Sequence, residues 1–252
     1  MSTIDERRER ASAGVPLHDD YWQDGFARPR VFLQPIAAPS ILGLYGFGVA
    51  TFMVAANIAG WYGNAKTGLY LAPFAATAGG LAQFLAGMWS YRARDALATA
   101  MHGIWGAFWI GYGILNLLFA THTLVAPSPV YASSDIGFWF FALALVTASG
   151  ALASLAESIG LFAVLSTLAC GSGILAGAYI VGSHGWFTVA GWVLVFSAGF
   201  AWYTATAMML AATYGRTIVP LGKWSKAANV PTRAPMRPIE LEWAEPGVKM
   251  GQ

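Results

Sequence analysis

Residues 39–61 read Pro-Ser-Ile-Leu-Gly-Leu-Tyr-Gly-Phe-Gly-Val-Ala-Thr-Phe-Met-Val-Ala-Ala-Asn-Ile-Ala-Gly-Trp and carry no charged side chain. A helix rises about 1.5 Å per residue, so this stretch is long enough to cross the roughly 30 Å hydrocarbon layer of a bilayer. It therefore predicts a membrane-spanning helix. Within it, Gly43, Gly46, Ala50 and Asn57 fall on one helical stripe, which predicts either a helix-packing face or the wall of a pathway.

The whole chain has the composition of an integral membrane protein. Of its 252 residues, 57% are hydrophobic and 10% are charged, whereas roughly a quarter of the residues of soluble proteins are charged. The net charge of +2 is too small to indicate a nucleic-acid partner. Between Ser40 and Ala211 only six residues are charged, and each can lie at the end of a span: Lys66, Arg92, Arg94, Asp95, Asp135 and Glu157.

Six apolar segments are each long enough to cross a membrane once, and they cover approximately residues 41–61, 69–89, 97–120, 136–155, 159–182 and 187–211. None of them alternates polar and apolar residues at every second position, as a strand of a membrane barrel would. The sequence therefore predicts an all-α membrane protein with a bundle of six transmembrane helices. This transport domain, residues 39–222, lies between an N-terminal tail, residues 1–38, and a C-terminal tail, residues 223–252. The first 35 residues lack the apolar core of a cleaved signal peptide.

Lysine and arginine are concentrated on one side of the predicted bundle. Of the 14 such residues, all except Lys66 lie before the first span, in the loop after the second span or after the sixth span. Because cytoplasmic segments carry an excess of Lys and Arg, both tails are predicted to be cytoplasmic. We expect a multi-pass protein of the cell inner (plasma) membrane.

The third span carries an unusual polar stripe. His102, Trp105, Trp109, Tyr112 and Asn116 follow one another at spacings of three and four, so they share one face of a helix. This face is either the wall of a polar conduit or an aromatic contact between helices. His102 lies about two turns inside the span, where an ionisable group is costly without water or a partner. It is therefore predicted to be either a structural histidine or a proton-binding site.

Polar side chains inside the other spans also need partners. The amides of Asn57 in the first span and Gln83 in the second predict either bonds between helices or hydrogen bonds to a substrate. The hydroxyls of Thr147 and Thr204 are expected to bond to their own helices and to have no function. Cys170 lies in an apolar run and is predicted to be a small buried residue.

Several functions that need a cofactor or a metal are excluded. A membrane cytochrome needs paired axial ligands, but only His102 lies well inside a span. A retinal protein needs an intramembrane lysine, and the spans contain none. The chain also lacks a phosphate-binding loop, an HExxH motif and a CxxC motif. We therefore predict no enzyme activity, no cofactor and no metal site, which leaves transport or a structural role.

Four stretches resemble, in this order, those of the acetate uptake transporter family. They are Leu42-Gly-Leu-Tyr-Gly-Phe47, Gly79-Gly-Leu-Ala-Gln83 with Ala86-Gly87, Gly106-Ala-Phe-Trp109 and Gly215-Arg-Thr-Ile-Val-Pro220. Over about residues 38–222 the chain is similar to the YaaH type of acetate/succinate–proton symporter. The resemblance implies a six-helix protomer, a hexameric homo-oligomer, and a pore through each protomer for acetate and similar small monocarboxylates, sometimes succinate.

The resemblance also implies which residues narrow the pore. Family members have a hydrophobic constriction made by Phe, Tyr and Leu, and the matching positions here are Phe47, Trp105 and Leu168. The motif thought to contact substrate in the family matches residues 38–44 and ends at Leu44. Candidate residues of the substrate pathway are Leu44, Asn57, Gln83, His102 and Tyr112.

The leading hypothesis is a proton-coupled or channel-like transporter of acetate in the lipid bilayer. Because no lysine or arginine lies deep in a span, a carboxylate at mid-membrane would depend on N–H and O–H donors. One alternative is a channel for ammonium or another small neutral solute. Another is a membrane-embedded scaffold that does not transport and whose tails bind partners.

Overall fold

The computed structural model describes residues 36–223, and these residues form six long helices. All six are long and apolar enough to cross a membrane, which confirms the predicted all-α fold. The predicted tails lie almost entirely outside the described residues. The helices are α1 (Pro39–Ile58), α2 (Thr67–Ala93), α3 (Ala96–Ala120), α4 (Ser134–Ser154), α5 (Ile159–Val181) and α6 (His184–Tyr214).

Local sequence signals set the ends of these helices. Pro39 begins α1, where its missing N–H costs nothing. The side chain of Asp95 accepts a hydrogen bond from the backbone of α3, and the side chain of Ser158 does the same for α5. Gly182 ends α5 and Gly215 ends α6, both in the left-handed conformation that glycine adopts without steric cost.

Helix α2 departs from regular α geometry in its middle third. Pro73 lies inside it, and Ala75–Ala82 follow as a π-helical segment. A Cβ atom on Gly79 or Gly80 would lie less than 3.0 Å from side-chain atoms of α3, so these glycines let the two helices approach closely. Gln83 is the first residue after this segment, and π-helical turns are frequent at functional sites.

The six helices pack in a ring in the order in which they follow along the chain. Helix α1 contacts both α2 and α6, α2 contacts α3, and α5 contacts both α4 and α6. A smaller contact between α3 and α4 completes the ring. We call the side on which α1 begins and α6 ends the tail side, and the opposite side the far side.

The chain after α6 returns over the tail side of the bundle. We call residues 215–223 the C-terminal strap. Its carbonyl groups at Leu221 and Gly222 accept hydrogen bonds of 3.0 Å from the backbone N–H groups of Gly160 and Ile159. The strap therefore pairs with N–H groups in the first turn of α5, which have no partner within that helix.

Candidate functional site

A cavity of about 320 Å³ lies at the tail side of the ring. Helices α1, α2, α3, α5 and α6 all line it, together with the linker before α5 and the C-terminal strap. Six of the eight predicted constriction and pathway residues meet here: Leu44, Phe47, Gln83, His102, Trp105 and Leu168. The cavity lies within the size range of small-molecule pockets.

Phe47, Trp105 and Leu168 are the deepest lining residues that their three helices contribute to the cavity. They are 2%, 3% and 2% exposed, and the rings of Phe47 and Trp105 meet edge to face with their centroids 6.2 Å apart. All three belong to one continuous apolar core. Hydrophobic side chains from α1, α3 and α5 thus form the deep end of the cavity, and we call these three residues the constriction, after the role predicted for them.

Helix α4 fixes the orientation of the indole in this constriction. The Nε1–H of Trp105 donates a 3.0 Å hydrogen bond to Oγ1 of Thr147, and that hydroxyl donates a 2.6 Å bond to the carbonyl of Leu143. The prediction that Thr147 bonds to its own helix is confirmed. Its hydroxyl oxygen also accepts the hydrogen bond from the indole, so the N–H of Trp105 has a partner within the protein.

A buried imidazole and a buried amide lie beside each other in the cavity wall. His102 is 6% exposed and Gln83 is 2% exposed, and Nε2 of Gln83 lies 3.5 Å from Nδ1 of His102. The imidazole packs on Gly43, where a Cβ atom would lie 2.5 Å from two ring atoms. The stripe of small residues on α1 is therefore a helix-packing face. Gly46, on the same stripe, packs against the carbonyl of Ala78.

Two polar atoms in the cavity wall have no hydrogen-bond partner among the residues that the structure describes. They are Oε1 of Gln83 and Oγ1 of Thr204, and both side chains are buried. Buried polar groups in folded proteins are nearly always paired, so these atoms mark positions where a ligand or water can bind. The prediction that Thr204 bonds to its own helix is wrong, and nothing in its sequence context distinguishes it from the threonines that do.

Charges of both signs line the mouth of the cavity. Asp95 caps α3, accepting a 2.8 Å hydrogen bond from the N–H of Ala98. Partial burial raises the pKa of Glu157 above its usual value, and the nearby Asp95 raises this pKa further, while Lys223 of the strap lowers it. Two carboxylates and one ammonium therefore belong to the lining of the cavity at its mouth.

Two of the predicted pathway residues lie away from this cavity, towards the far side. Asn57 is half-buried near the end of α1, and its Nδ2 donates a 2.8 Å hydrogen bond to the carbonyl of Tyr62 in the loop that follows. Tyr112 lies about two turns beyond Trp105 and packs edge to face on Trp109 at 5.5 Å. Cys170 is exposed, so the prediction that it is buried is wrong.

Comparison with known proteins identifies the family of the chain. A model of the GPR1/FUN34/yaaH family matches residues 26–222. The succinate-acetate/proton symporter SatP of Escherichia coli K12 is 27% identical over 191 residues, which are 75% of this chain and 96% of that protein. Ammonia transport outward protein 2 of Saccharomyces cerevisiae is 28% identical over 198 residues, covering 76% and 70% of the two chains. The solved structure of the bacterial acetate channel SatP superposes with a TM-score of 0.69 at 24% identity, over 75% of this chain and 100% of that one. The family match covers most of the sequence and the fold agrees with it, so the chain belongs to the GPR1/FUN34/yaaH family.

Proposed function

We propose that this membrane protein carries acetate and similar small monocarboxylates, with succinate as a further candidate, together with a proton. The path runs through the ring of each protomer. The observation that carries the proposal is the tail-side cavity, which contains unpaired buried polar atoms and ends at the constriction of Phe47, Trp105 and Leu168.

The chemistry of the cavity suits a small acid that binds weakly and moves on quickly. The cavity wall offers an imidazole, an amide and a hydroxyl, while its cationic lining residue, Lys223, lies on the strap at the mouth. Hydrogen bonds without a deep ion pair bind weakly, and weak binding favours rapid passage. Relatives named as a succinate-acetate/proton symporter and as an acetate channel support acetate as the substrate.

Uptake into liposomes tests this function. The purified protein is reconstituted, and entry of labelled acetate is measured with and without an inward proton gradient. We expect entry that is faster than in empty liposomes and that rises with the gradient. Entry no faster than in empty liposomes would overturn the proposal.

Two variants test the assigned roles. Trp105→Ala removes the largest ring of the constriction, so entry of larger carboxylates should rise relative to acetate. His102→Ala should flatten the pH dependence of uptake if the imidazole carries the proton. An unchanged pH profile would return His102 to a structural role.

A second candidate is passage of ammonium or ammonia. It is favoured by the two carboxylates at the cavity mouth and by the yeast relative named for ammonia transport. Competition of labelled acetate uptake separates the two functions. Inhibition by propionate supports the carboxylate path, and inhibition by ammonium chloride but not by sodium propionate supports the alternative.

The remaining proposals concern the oligomeric state of the protein and its orientation in the membrane. We propose a hexamer in the cell inner membrane with both tails cytoplasmic. A non-transporting scaffold is disfavoured because His102 and Trp105 line the cavity and do not face lipid. Cross-linking in native membranes tests the hexamer, and protease access to the tails in oriented vesicles tests the topology.

A further inference from the structure

Gln83 and His102 form a pair in the cavity wall whose hydrogen bonding is incomplete. Nε2 of Gln83 lies 3.5 Å from Nδ1 of His102, while the other amide atom, Oε1, has no partner among residues 36–223. Both side chains are buried and both line the cavity. The amide of Gln83 therefore turns its donor end to the imidazole and leaves its acceptor end for whatever occupies the cavity.

Packing from two helices holds the ring of His102 in place. A Cβ atom on Gly43 of α1 would lie 2.5 Å from Cε1 and Nδ1 and 2.6 Å from Cδ2, so the ring packs directly on the backbone of α1. A Cβ atom on Gly87 of α2 would lie 3.1 Å from the carbonyl carbon of His102, so the backbone of α3 is held there as well. Cores packed this closely leave little room for a ring to turn. Any adjustment to a change in protonation must therefore come from Gln83 and not from the ring.

The protonation state of the imidazole decides what its partner must supply. In a neutral imidazole one ring nitrogen accepts a hydrogen bond, whereas in an imidazolium both nitrogens donate. Nδ1 of His102 faces the amide N–H of Gln83, so it is an acceptor and the ring is neutral. Once Nδ1 takes up a proton, two donors face each other. A half-turn of the amide about the Cγ–Cδ bond removes this conflict by exchanging Oε1 and Nε2, and this terminal torsion has a broad, roughly two-fold preference.

The same half-turn reverses what Gln83 offers to the cavity. Before the turn, the free atom is Oε1, which accepts a hydrogen bond from water or from the O–H of a protonated acid. After the turn, the free group is the amide N–H, which donates. A carboxylate only accepts, so Oε1 disfavours it and the N–H binds it. Protonation of His102 thus converts this part of the wall from an acceptor into a donor.

We propose that Gln83 couples the proton to the transported acid: its amide rotates when His102 takes up a proton, and it then donates a hydrogen bond to the carboxylate. This inference rests on the proposed function, because it requires that an acid and a proton share the cavity. It gives Gln83 a role that a fixed residue of the wall does not have, since the affinity for the acid then depends on the charge of its neighbour.

Other titratable groups share the cavity with this pair. The group within hydrogen-bond distance of Nδ1 is the amide of Gln83, and the residue of α1 against the ring is Gly43, which has no side chain. The remaining titratable side chains of the lining lie at the mouth of the cavity, and they are Asp95, Glu157 and Lys223. A test of the inference must therefore separate the titration of His102 from that of the mouth.

Equilibrium exchange of labelled acetate in liposomes tests the coupling. The pH is the same on both sides, so that no proton gradient drives transport, and the half-maximal concentration is expressed as that of the acetate anion. For the parent protein we expect this concentration to be about tenfold lower at about pH 5.5 than at about pH 8. In Gln83→Met, which keeps the length of the side chain and removes the amide, the ratio of the two concentrations should fall towards one. A Gln83 that only bound substrate or only packed would change both concentrations by the same factor and leave the ratio unchanged.

Two control variants separate this effect from others. Ser90→Ala, also on α2, removes a buried hydroxyl that donates to the carbonyl of Ala86 at 2.8 Å and does not line the cavity, so it should keep the parental ratio. Glu157→Gln removes a titratable carboxyl at the mouth and should keep the ratio too. A ratio that disappears in Glu157→Gln and persists in Gln83→Met would overturn the inference.

A measurement on the parent protein does not depend on the folding of Gln83→Met. By linkage, if protonation of His102 strengthens acetate binding tenfold, acetate strengthens proton binding by the same factor. The imidazole is followed by NMR spectroscopy with isotope-labelled histidine, and its signal is assigned by its absence in His102→Phe. Saturating sodium acetate should increase the protonated fraction of His102 at about pH 6.5, and sodium chloride at the same ionic strength should not.

The outcomes separate this inference from the proposed function. An unchanged ratio in Gln83→Met would overturn the coupling and leave acetate transport standing, and so would a His102 signal that does not respond to acetate. A parent protein whose half-maximal concentration is the same at both pH values would have the same consequence. Failure of the parent protein to exchange acetate would overturn both.

Discussion

The contact between Gly43 and His102 gives the sharpest prediction. A Cβ atom at position 43 would lie 2.5 Å from Cε1 and Nδ1 of the imidazole and 2.6 Å from Cδ2, whereas ordinary contacts begin near 3.4 Å. In Gly43→Ala the ring and α1 must therefore separate by about 1 Å, and overpacking of this kind costs about 1–3 kcal/mol. The shift also disturbs the 3.5 Å approach of His102 to Gln83. We expect lower stability and slower acetate uptake.

Gly48→Ala provides a matched control on the same helix. There the nearest atom to the new Cβ is the carbonyl oxygen of Ala198 at 3.5 Å, an ordinary contact. Alanine is the better helix former by up to about 1 kcal/mol, so this variant should be neutral or more stable. Both variants are compared by thermal unfolding in detergent and by uptake of labelled acetate into liposomes.

A double variant shows whether the imidazole is the cause. In a His102→Ala background the clash disappears, so Gly43→Ala should then cost little, and the difference is the coupling energy of the pair. Equal behaviour of Gly43→Ala and Gly48→Ala would refute the reasoning, as would an undiminished cost of Gly43→Ala in the His102→Ala background.

Three further predictions follow from other contacts. Trp105→Phe loses the bond to Thr147, so stability should fall by about 1 kcal/mol and uptake of propionate should rise relative to acetate; an unchanged uptake ratio would contradict this. Because the pKa of Glu157 is raised, the folded state favours its protonated form, and the stability from this preference is present at acid pH and lost as the pH rises through the raised pKa. Glu157→Gln should therefore stabilise the protein at pH 7 and make little difference at acid pH, as thermal unfolding at both pH values would show. Gly222→Ala combines a φ of +70° with a Cβ position 2.8 Å from the first residue of α5, so it should unfold at lower temperature than Gly215→Ala, whose new Cβ meets nothing within 4 Å.

Most of the fold could be predicted from the hydropathy of the sequence and from its helix-end signals. The six predicted spans correspond to α1 to α6, because the free energy of moving a segment into lipid depends on its composition and hardly on its neighbours. The ends were less accurate. Residues 59–61 were assigned to the first span, but Gly60 takes a φ of +80° just after α1 ends at Ile58.

Partnerships between side chains were harder to predict. The sequence predicts that the amide of Asn57 bonds either to another helix or to a substrate, and it does not reveal the hydrogen bond that Nδ2 donates to the carbonyl of Tyr62 in the next loop. Thr147 and Thr204 both lie inside long apolar helices, yet only Thr147 donates to a carbonyl of its own helix, and the sequence does not distinguish the two. The π-helical segment of α2 has no distinct hydropathy signal, although it places Gly79 against Trp109.

Two contacts described above are neighbouring steps of one interface between α1 and α3. Phe47 follows Gly43 by four residues and Trp105 follows His102 by three, so the contact of the two constriction rings lies directly above the contact of imidazole and glycine. Any movement that parts α1 from α3 far enough to separate the rings also lifts the imidazole off Gly43. The packing of the imidazole on α1 and the contact between the two rings are thus coupled through the same pair of helices.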